Sequence, residues 1–400
     1  MTAPPVTAPP VTAPAEPVPA MPVRAATGSR GARAAWIMLA SGWSANQFSA
    51  LLGAYRSHLG LAESTVTGLF AVYVVGLIPA LLIAGPLADR RGRRRVALVA
   101  LFLNVLSTLL LMAGGAWGGT WLLLPGRFLT GVSAGALLAA GSAWIKELSD
   151  SPRRPGLFVS AGFATGGLVA ALVAQWAPWP MVTAYVPHVV LGAAAGWFAL
   201  AAPETYSPLP VSSSESAHEH GRRFRRTVLP MAPWVFAAPT IGFVTLPSTL
   251  HTGLILTGVA TAVVPGTGLL TARRAGSTPT AGLLVVAVGT ATAAVAAATE
   301  SRLLALFAAI VLGAGYGLAL TYGLTRTAAL APPHQLARWT ARFWTAAYLG
   351  MFTPYVLTLL GHITTTPVLL AAVALLALAH AAESSSRRHR QRPSPRTSPR

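Results

Sequence analysis

The sequence predicts an all-α polytopic membrane protein with twelve transmembrane helices in two six-helix halves, and three observations carry that prediction. Hydrophobic residues make up 54% of the 400 residues and charged residues only 10%, with a mean hydropathy of +0.59; so few charges cannot cover a water-facing surface of this size. Apolar stretches long enough to cross a bilayer recur along the chain, separated by short polar links. The basic residues then fall in alternate links, in the phase required of a chain that passes back and forth through a membrane.

Taken in order, residues 1–33 open with Thr-Ala-Pro-Pro-Val at 2–6 and again at 7–11. Such Pro-rich, low-complexity sequence stays extended, so a disordered tail is expected. It is not a signal peptide, because the first apolar stretch begins only near Ala34, is too long for an h-region and is followed by many more. About 20 residues of helix cross the ~30 Å hydrocarbon core. On that measure the expected spans are 34–55, 67–87, 96–113, 121–145, 156–176, 181–201, 228–246, 253–270, 281–298, 303–321, 343–360 and 368–381. Helices are required because backbone groups cannot go unpaired in lipid, and no segment alternates as a barrel strand does. Residues 205–227 are the longest polar stretch inside the apolar region, with Ser212 to Ser214, two His and four Arg. They divide a six-helix half at 34–204 from a second at 228–383, and 384–400 is expected to be a disordered basic tail.

The charge pattern tests the span count. Links after even-numbered spans hold Arg90, Arg91, Arg93, Arg94 and Arg95; Lys146, Arg153 and Arg154; Arg222, Arg223, Arg225 and Arg226; Arg273 and Arg274; and Arg326, Arg338 and Arg342. Links after odd-numbered spans hold only Arg56 and Arg302. One missed span would destroy that 17 to 2 bias. Positive charge accumulates on the cytoplasmic side, so both termini are expected there, with six further Arg from Arg387 to Arg400. The formal charge of +19 is thereby accounted for by topology, and no nucleic-acid partner is expected.

An internal repeat accompanies the division. Gly85-Pro-Leu-Ala-Asp89-Arg90-Arg91 after the second span aligns with Gly268-Leu-Leu-Thr-Ala272-Arg273-Arg274 after the eighth, at a constant offset of 183; paired halves with a site between them are a recurrent transporter plan. The fuller stretch Gly85-Pro86-Leu87-Ala88-Asp89-Arg90-Arg91-Gly92-Arg93-Arg94 resembles the Gly-x-Leu-x-Asp-Arg-x-Gly-Arg-Arg signature between the second and third helices of the major facilitator superfamily. Arg127 in Gly126-Arg-Phe-Leu-Thr-Gly131 resembles that family's fourth-helix Arg motif, and Pro203-Glu204-Thr205 the Pro-Glu-Thr that often closes its sixth helix. The resemblance covers about residues 34–383. It implies the major facilitator fold and a latch, built from Gly85, Asp89, Arg90, Arg91, Gly92, Arg93 and Arg94, that holds the two halves in an outward-open state.

The same residues have a reading of their own. Gly85 would let another helix approach closely, and Asp89 would cap or neutralise the positive end of a neighbouring helix. Glu147 and Asp150, at the end of the fourth span, are the acids available to pair with the Arg cluster in the first half. The plainer alternative is a topogenic charge cluster without a gating role. The second copy has Ala272 in place of the acid, so a latch there would be weak or absent.

Inside the spans the polar groups are few. Arg127 is expected to face an aqueous cavity or a polar partner, or else to snorkel towards the outer headgroups. Asn46 and Gln47, flanked by Trp43 and Phe48, suit an amphipathic ligand or a helix-to-helix hydrogen bond. Gly162, Gly166 and Gly167 stand at the spacing of the family's antiporter motif, but Phe163 occupies its Pro position, and tight packing explains them equally well. Trp339 and Trp344 read as an interfacial belt, while Tyr348, Phe352 and Tyr355 are candidates to line a cavity. No acid lies in mid-span, which leaves His188, beside Pro187, as the titratable group inside a span. It is either a proton-coupling group or a neutral hydrogen-bonded His; coupling through Asp89 or Glu147 is the other proton route.

Enzyme classes find no foothold. The chain has no Cys, no His-Glu-x-x-His, no Gly-x-Ser-x-Gly and no acidic metal cluster, so neither catalytic residues nor a metal or cofactor are expected. The expected function is secondary transport of a small molecule by a monomer in the inner membrane, in contact with lipid and with protons as the candidate coupling ion. Export of an amphipathic compound comes first, uptake of a metabolite second, and a non-transporting sensor with the same fold third.

Overall fold

The computed structural model describes residues 23–149, 154–205, 217–274, 278–331 and 336–390. The regular elements among them are helical. First come α1 (Val23–Ala50), α2 (Leu52–Leu59), α3 (Glu63–Arg91), α4 (Arg93–Trp117), α5 (Thr120–Leu148, with a π turn at Leu137–Gly141), α6 (Arg154–Trp176) and α7 (Pro180–Leu200). The short α8 (Ala217–Thr227) precedes α9 (Trp234–Thr240), which runs on through a π turn at Ile241–Thr245. Then follow α10 (Leu254–Thr271), α11 (Thr280–Ala298), α12 (Arg302–Leu330), α13 (Leu336–Tyr348), α14 (Thr353–Leu360) and α15 (Thr366–Arg390).

Among the described residues, ten spans, formed by α3 to α7, α10 to α12, α13 with α14, and α15, are long and apolar enough to cross a membrane. The expected first and seventh spans are helical but different in kind. α1 buries Ser41, Ser44, Asn46, Gln47 and Ser49, and breaks before α2 at Leu51. α9 is short, with Pro239 inside it and a π turn after it. Proline removes a backbone donor and a π turn relocates one, so this span is irregular where it packs most deeply.

Helices overrun the apolar stretches that announce them. α1 begins at Val23, within the segment expected to be disordered; α12 ends at Leu330 rather than near 321; α15 reaches Arg390, inside the expected tail. Hydropathy marks only the part that lies in hydrocarbon, and Ala- and Arg-rich sequence continues a helix beyond it readily. The linker 205–227 is likewise partly helical, as α8. Residues 1–22, Asp150 to Arg153, 206–216 and 391–400, on which several of the expectations above fall, lie outside the described residues.

Small residues set the packing. A Cβ on Gly131 would collide with the Tyr73 carbonyl, and one on Gly317 with the Gly268 carbonyl, so α3 meets α5 and α10 meets α12 backbone to backbone. Gly162 faces the Leu39 carbonyl and Gly350 that of Pro233, which brings α6 to α1 and the α13–α14 turn to the start of α9. Within 23–205 α3 thus packs on α5 and α1 on α6, and within 217–390 α10 packs on α12 and the α13–α14 turn on α9. Without a hydrophobic force between helices in lipid, such close approach is what holds them, and the packing repeats as the sequence does. Apolar side chains such as Ile83, Phe102, Val190 and Leu375 are exposed on the helix flanks. Trp117, Trp121, Trp176 and Trp179 are exposed at the arginine-poor end, where aromatic rings settle at a membrane interface.

Candidate functional site

Three groups of residues lie along the boundary between the two sets of helices or at its ends. At the arginine-rich end, Gly92 joins α3 to α4 with φ 95° and ψ 137°, a left-handed conformation that glycine adopts freely. A Cβ there would also lie 2.5 Å from Glu204 Oε2. α4 therefore starts without a local capping side chain. Glu204 supplies the cap from the end of α7: its Oε1 accepts from the backbone N–H of Arg93 at 2.9 Å and of Arg94 at 3.1 Å. Two of the orphan donors at the helix start are satisfied by an anion placed at the positive end of the dipole. Glu147, at the end of α5, forms an ion pair with Arg93 and accepts a hydrogen bond from Thr205. Arg94 donates to the Leu200 carbonyl at 2.8 Å.

This arrangement corrects two expectations. Gly85 has open space where a Cβ would stand, so it mediates no close approach; Gly131 and Gly135 on α5 do that for α3. Asp89 caps no neighbouring helix. It is largely exposed and meets Arg93 at 3.5 Å, while Arg90 and Arg91 point to the surroundings. Among the described residues, the polar contacts of Asp89, Arg93, Arg94, Glu147 and Glu204 all stay within the first six spans. Sequence reasoning missed the role of Glu204. The available signal was the start of α4 at Gly-Arg-Arg, where no Ser, Thr, Asp or Asn stands to cap it.

The middle of the boundary is aromatic. Arg127 is fully buried, so it does not snorkel, and the polar partner it meets is a backbone carbonyl. Nε approaches the Leu69 carbonyl at 3.4 Å, and the guanidinium lies 4.3 Å from the centroid of Phe48 and 5.0 Å from that of Tyr73. Nη1 and Nη2 have no hydrogen-bond partner. Cation–π contacts contribute about 0.5–2 kcal/mol each, whereas burial of an unpaired ion costs several kcal/mol. Tyr73 packs edge-on to Tyr348 of α13 at 6.4 Å. Tyr348 is itself buried and stacks on Phe236 of α9 at 4.3 Å and 22°. Trp344 and Tyr316 close round Phe236 at 6.2 and 6.1 Å. Trp339 is no belt residue: it is buried and packs on Phe224 of α8 at 4.9 Å. Phe352 and Tyr355 are half-buried.

Asn46 ties the two groups together, donating to the Phe163 carbonyl at 2.7 Å and to the Thr261 carbonyl of α10 at 3.3 Å. Gly166 and Gly167 lie against Trp43 and Thr261, so the three glycines of α6 serve close packing. Gln47 donates to Thr108 at 3.3 Å, and Thr108 meets His188 Nδ1 at 2.8 Å. His188 Nε2 faces two acceptors, Ala40 O and Asn104 Oδ1, each at 3.1 Å. It therefore carries the ring proton, and Thr108 donates to Nδ1. Asn104 donates onward to Ser44 and Ser133, each at 2.8 Å. His188 is thus the hub of a closed network linking α1, α4, α5 and α7.

At the arginine-poor end a cavity of about 530 Å³ lies between α1–α3 and α9–α10, with Ser49, Glu63, Phe243, Ser248 and His251 on its wall. Ser248 donates to Glu63 at 2.5 Å and accepts from Arg56 at 3.3 Å, and Arg56 lies 3.8 Å from Glu63. This clasp joins the two groups across the cavity wall.

A family model described as the Major Facilitator Superfamily matches residues 34–354. Over 96 residues the chain is 35% identical to "Multidrug resistance protein MdtL" of Klebsiella pneumoniae (strain 342), and 36% identical to that of Salmonella paratyphi C (strain RKS4594). Each match covers 24% of this chain and 24% of the relative. Among solved structures, a POT family transporter in complex with 5-aminolevulinic acid aligns with a TM-score of 0.73 at 11% identity, over 88% of this chain and 96% of that one. A D-xylose–proton symporter aligns with a TM-score of 0.67 at 16% identity, over 89% and 97%.

Proposed function

The chain belongs to the major facilitator superfamily, a family of transporters rather than enzymes, and from that premise we propose that it exports a small amphipathic compound by alternating access. The observation that carries this reading is the cavity of about 530 Å³ between the two helix groups. Both groups contribute to its wall. α6 packs closely on α10 across the boundary, Gly167 against Thr261 and Gly258 against Ala171, with polar ties at the clasp and at Asn46, and this seam is one about which one group can rock on the other. Leu52, Phe243, Val244 and Leu254 on the cavity wall suit a compound with an apolar body. Export takes precedence over uptake on the local likeness to the multidrug resistance relatives.

The same reading sets both termini in the cytoplasm of a bacterial inner membrane, on the charge bias of the links. Single cysteines introduced near Gly118, Pro178 and Ser301 then label from outside, and one at Ser214 only from inside. Direction is tested by accumulation of a panel of antibiotics and dyes in cells with and without the protein. Lowered accumulation with protection supports export, and raised accumulation of any compound overturns it in favour of uptake. No change for any compound, with the protein present in the membrane, favours a non-transporting sensor.

A further inference from the structure

Arg127 is the place where the folded chain leaves a charge unanswered. Its two terminal nitrogens are buried without a partner, and the acids of the described residues whose contacts are recorded, among them Glu63, Asp89, Glu147 and Glu204, stand at helix ends. Phe48 and Tyr73 lie against the guanidinium but give Nη1 and Nη2 no acceptor, and those N–H groups form the fork that a carboxylate matches with two parallel hydrogen bonds. Ser49 Oγ, next to Phe48 on α1 and on the cavity wall, is a second buried polar atom without a partner. A native interior rarely leaves such groups unmade unless something else completes them.

The rings continue the site into the other helix group. Tyr73 lies between Arg127 and Tyr348, and Tyr348 lies nearly parallel to Phe236 at 4.3 Å. Separation of α3 from α13 would part Tyr73 from Tyr348 and open a flat, apolar slot beside the guanidinium. We propose that Arg127 anchors the anionic head of the transported molecule and that the slot between Tyr73 and Phe236 takes its planar body, which makes the substrate class an aromatic carboxylate. The proposal rests on the transport reading above and narrows it. It also fits export in simple chemical terms: an aromatic acid crosses lipid in its neutral form, ionises in the cell, and then needs a carrier to leave as the anion.

The test uses the purified full-length protein in detergent, with 2-naphthoate and the uncharged 2-naphthalenemethanol as probes in titration calorimetry. Wild-type protein is expected to bind the carboxylate about tenfold or more tightly than the alcohol, the step that one charge-assisted hydrogen bond supplies. Arg127→Gln should erase that preference and Arg127→Lys should keep part of it. Tyr348→Ala should weaken both probes in parallel and leave the preference intact. Equal binding of the two probes by wild type, no binding of either, or a preference that survives Arg127→Gln overturns the proposal, and the first two need no variant to fold. Proteoliposome flux separates this from the parent reading. Efflux of ethidium without 2-naphthoate binding removes the carboxylate site and leaves transport standing. Arg127-dependent binding without flux of any probe does the reverse.

Discussion

Glu204 caps the helix that Arg93 begins: the carboxylate at the end of the sixth span accepts the Arg93 backbone N–H at 2.9 Å, across a gap of more than a hundred residues in sequence. The loop between the second and third spans is therefore held by the far end of its own helix group. Glu204→Ala should lower stability by about 1–2 kcal/mol, the scale of a lost helix cap, read as a fall in the unfolding temperature in detergent. Glu204→Gln should cost less, because its amide oxygen still accepts. Gly92→Ala should cost more than Glu204→Gln, since it adds left-handed strain to a contact with Glu204; a neutral Gly92→Ala would refute this geometry.

Asp89 and Glu147 should separate stability from transport. Asp89 is largely exposed, and an exposed ion pair such as the one it makes with Arg93 contributes only about 0.2–1 kcal/mol. Asp89→Asn should leave the unfolding temperature nearly unchanged. If the latch implied by the family motif operates in this chain, the same variant loses most of its initial transport rate in vesicles. Glu147→Gln removes an ion pair and the acceptor for Thr205, and should show the larger thermal shift with the milder transport loss. An unaltered rate for Asp89→Asn would return the motif to a purely topogenic role.

The clasp of Arg56, Glu63 and Ser248 should govern access to the cavity. Ser248→Ala removes both the donor to Glu63 and the acceptor for Arg56. In this Cys-free chain, a single cysteine at Ser49, on the cavity wall, should then react severalfold faster with a water-soluble maleimide than in the unmodified background. Equal rates would mean that the clasp does not gate the mouth.

What could be read from the sequence was what hydrophobicity and charge repeat many times over. Ten spans follow from apolar runs, though their helix ends do not, and the pairing of Arg93 with an acid near 147 follows from charge at matching helix ends. Contacts made once by a single residue were not legible. Nothing in a lone Glu204 or Ser248 says which distant backbone or side chain it will meet. The buried Phe48, Tyr73 and Phe236 look like any aromatics in an apolar run. Arg127 shows the limit most plainly: as a charge in a span it was expected to find water or a partner, and the fold gives it one backbone carbonyl and closes aromatic rings over it. Where a polar residue breaks its local rule, a functional constraint is the usual cause.

His188 is where sequence and structure pull apart on coupling. As a titratable group in mid-span it invited a proton-carrying role, but both of its nitrogens are engaged, by Thr108 on one side and by Ala40 and Asn104 on the other. A carrier of protons has to meet the alternating cavity, and His188 is fully buried within the first helix group, away from the boundary where Asn46 meets Thr261. The expected role is to hold four helices in register. His188→Leu removes the acceptor of Thr108 and the donor to Ala40 and Asn104, strands the Asn104 side-chain oxygen and should cost about 1–3 kcal/mol for that buried group, whereas His188→Gln, which keeps one donor and one acceptor, should cost much less. Substrate flux in proteoliposomes, with and without an imposed pH gradient, completes the argument. Gradient-driven flux that survives His188→Gln assigns the residue to structure alone. If the gradient loses its effect in His188→Gln while downhill flux persists, the ring itself carries the proton and the clamp account fails.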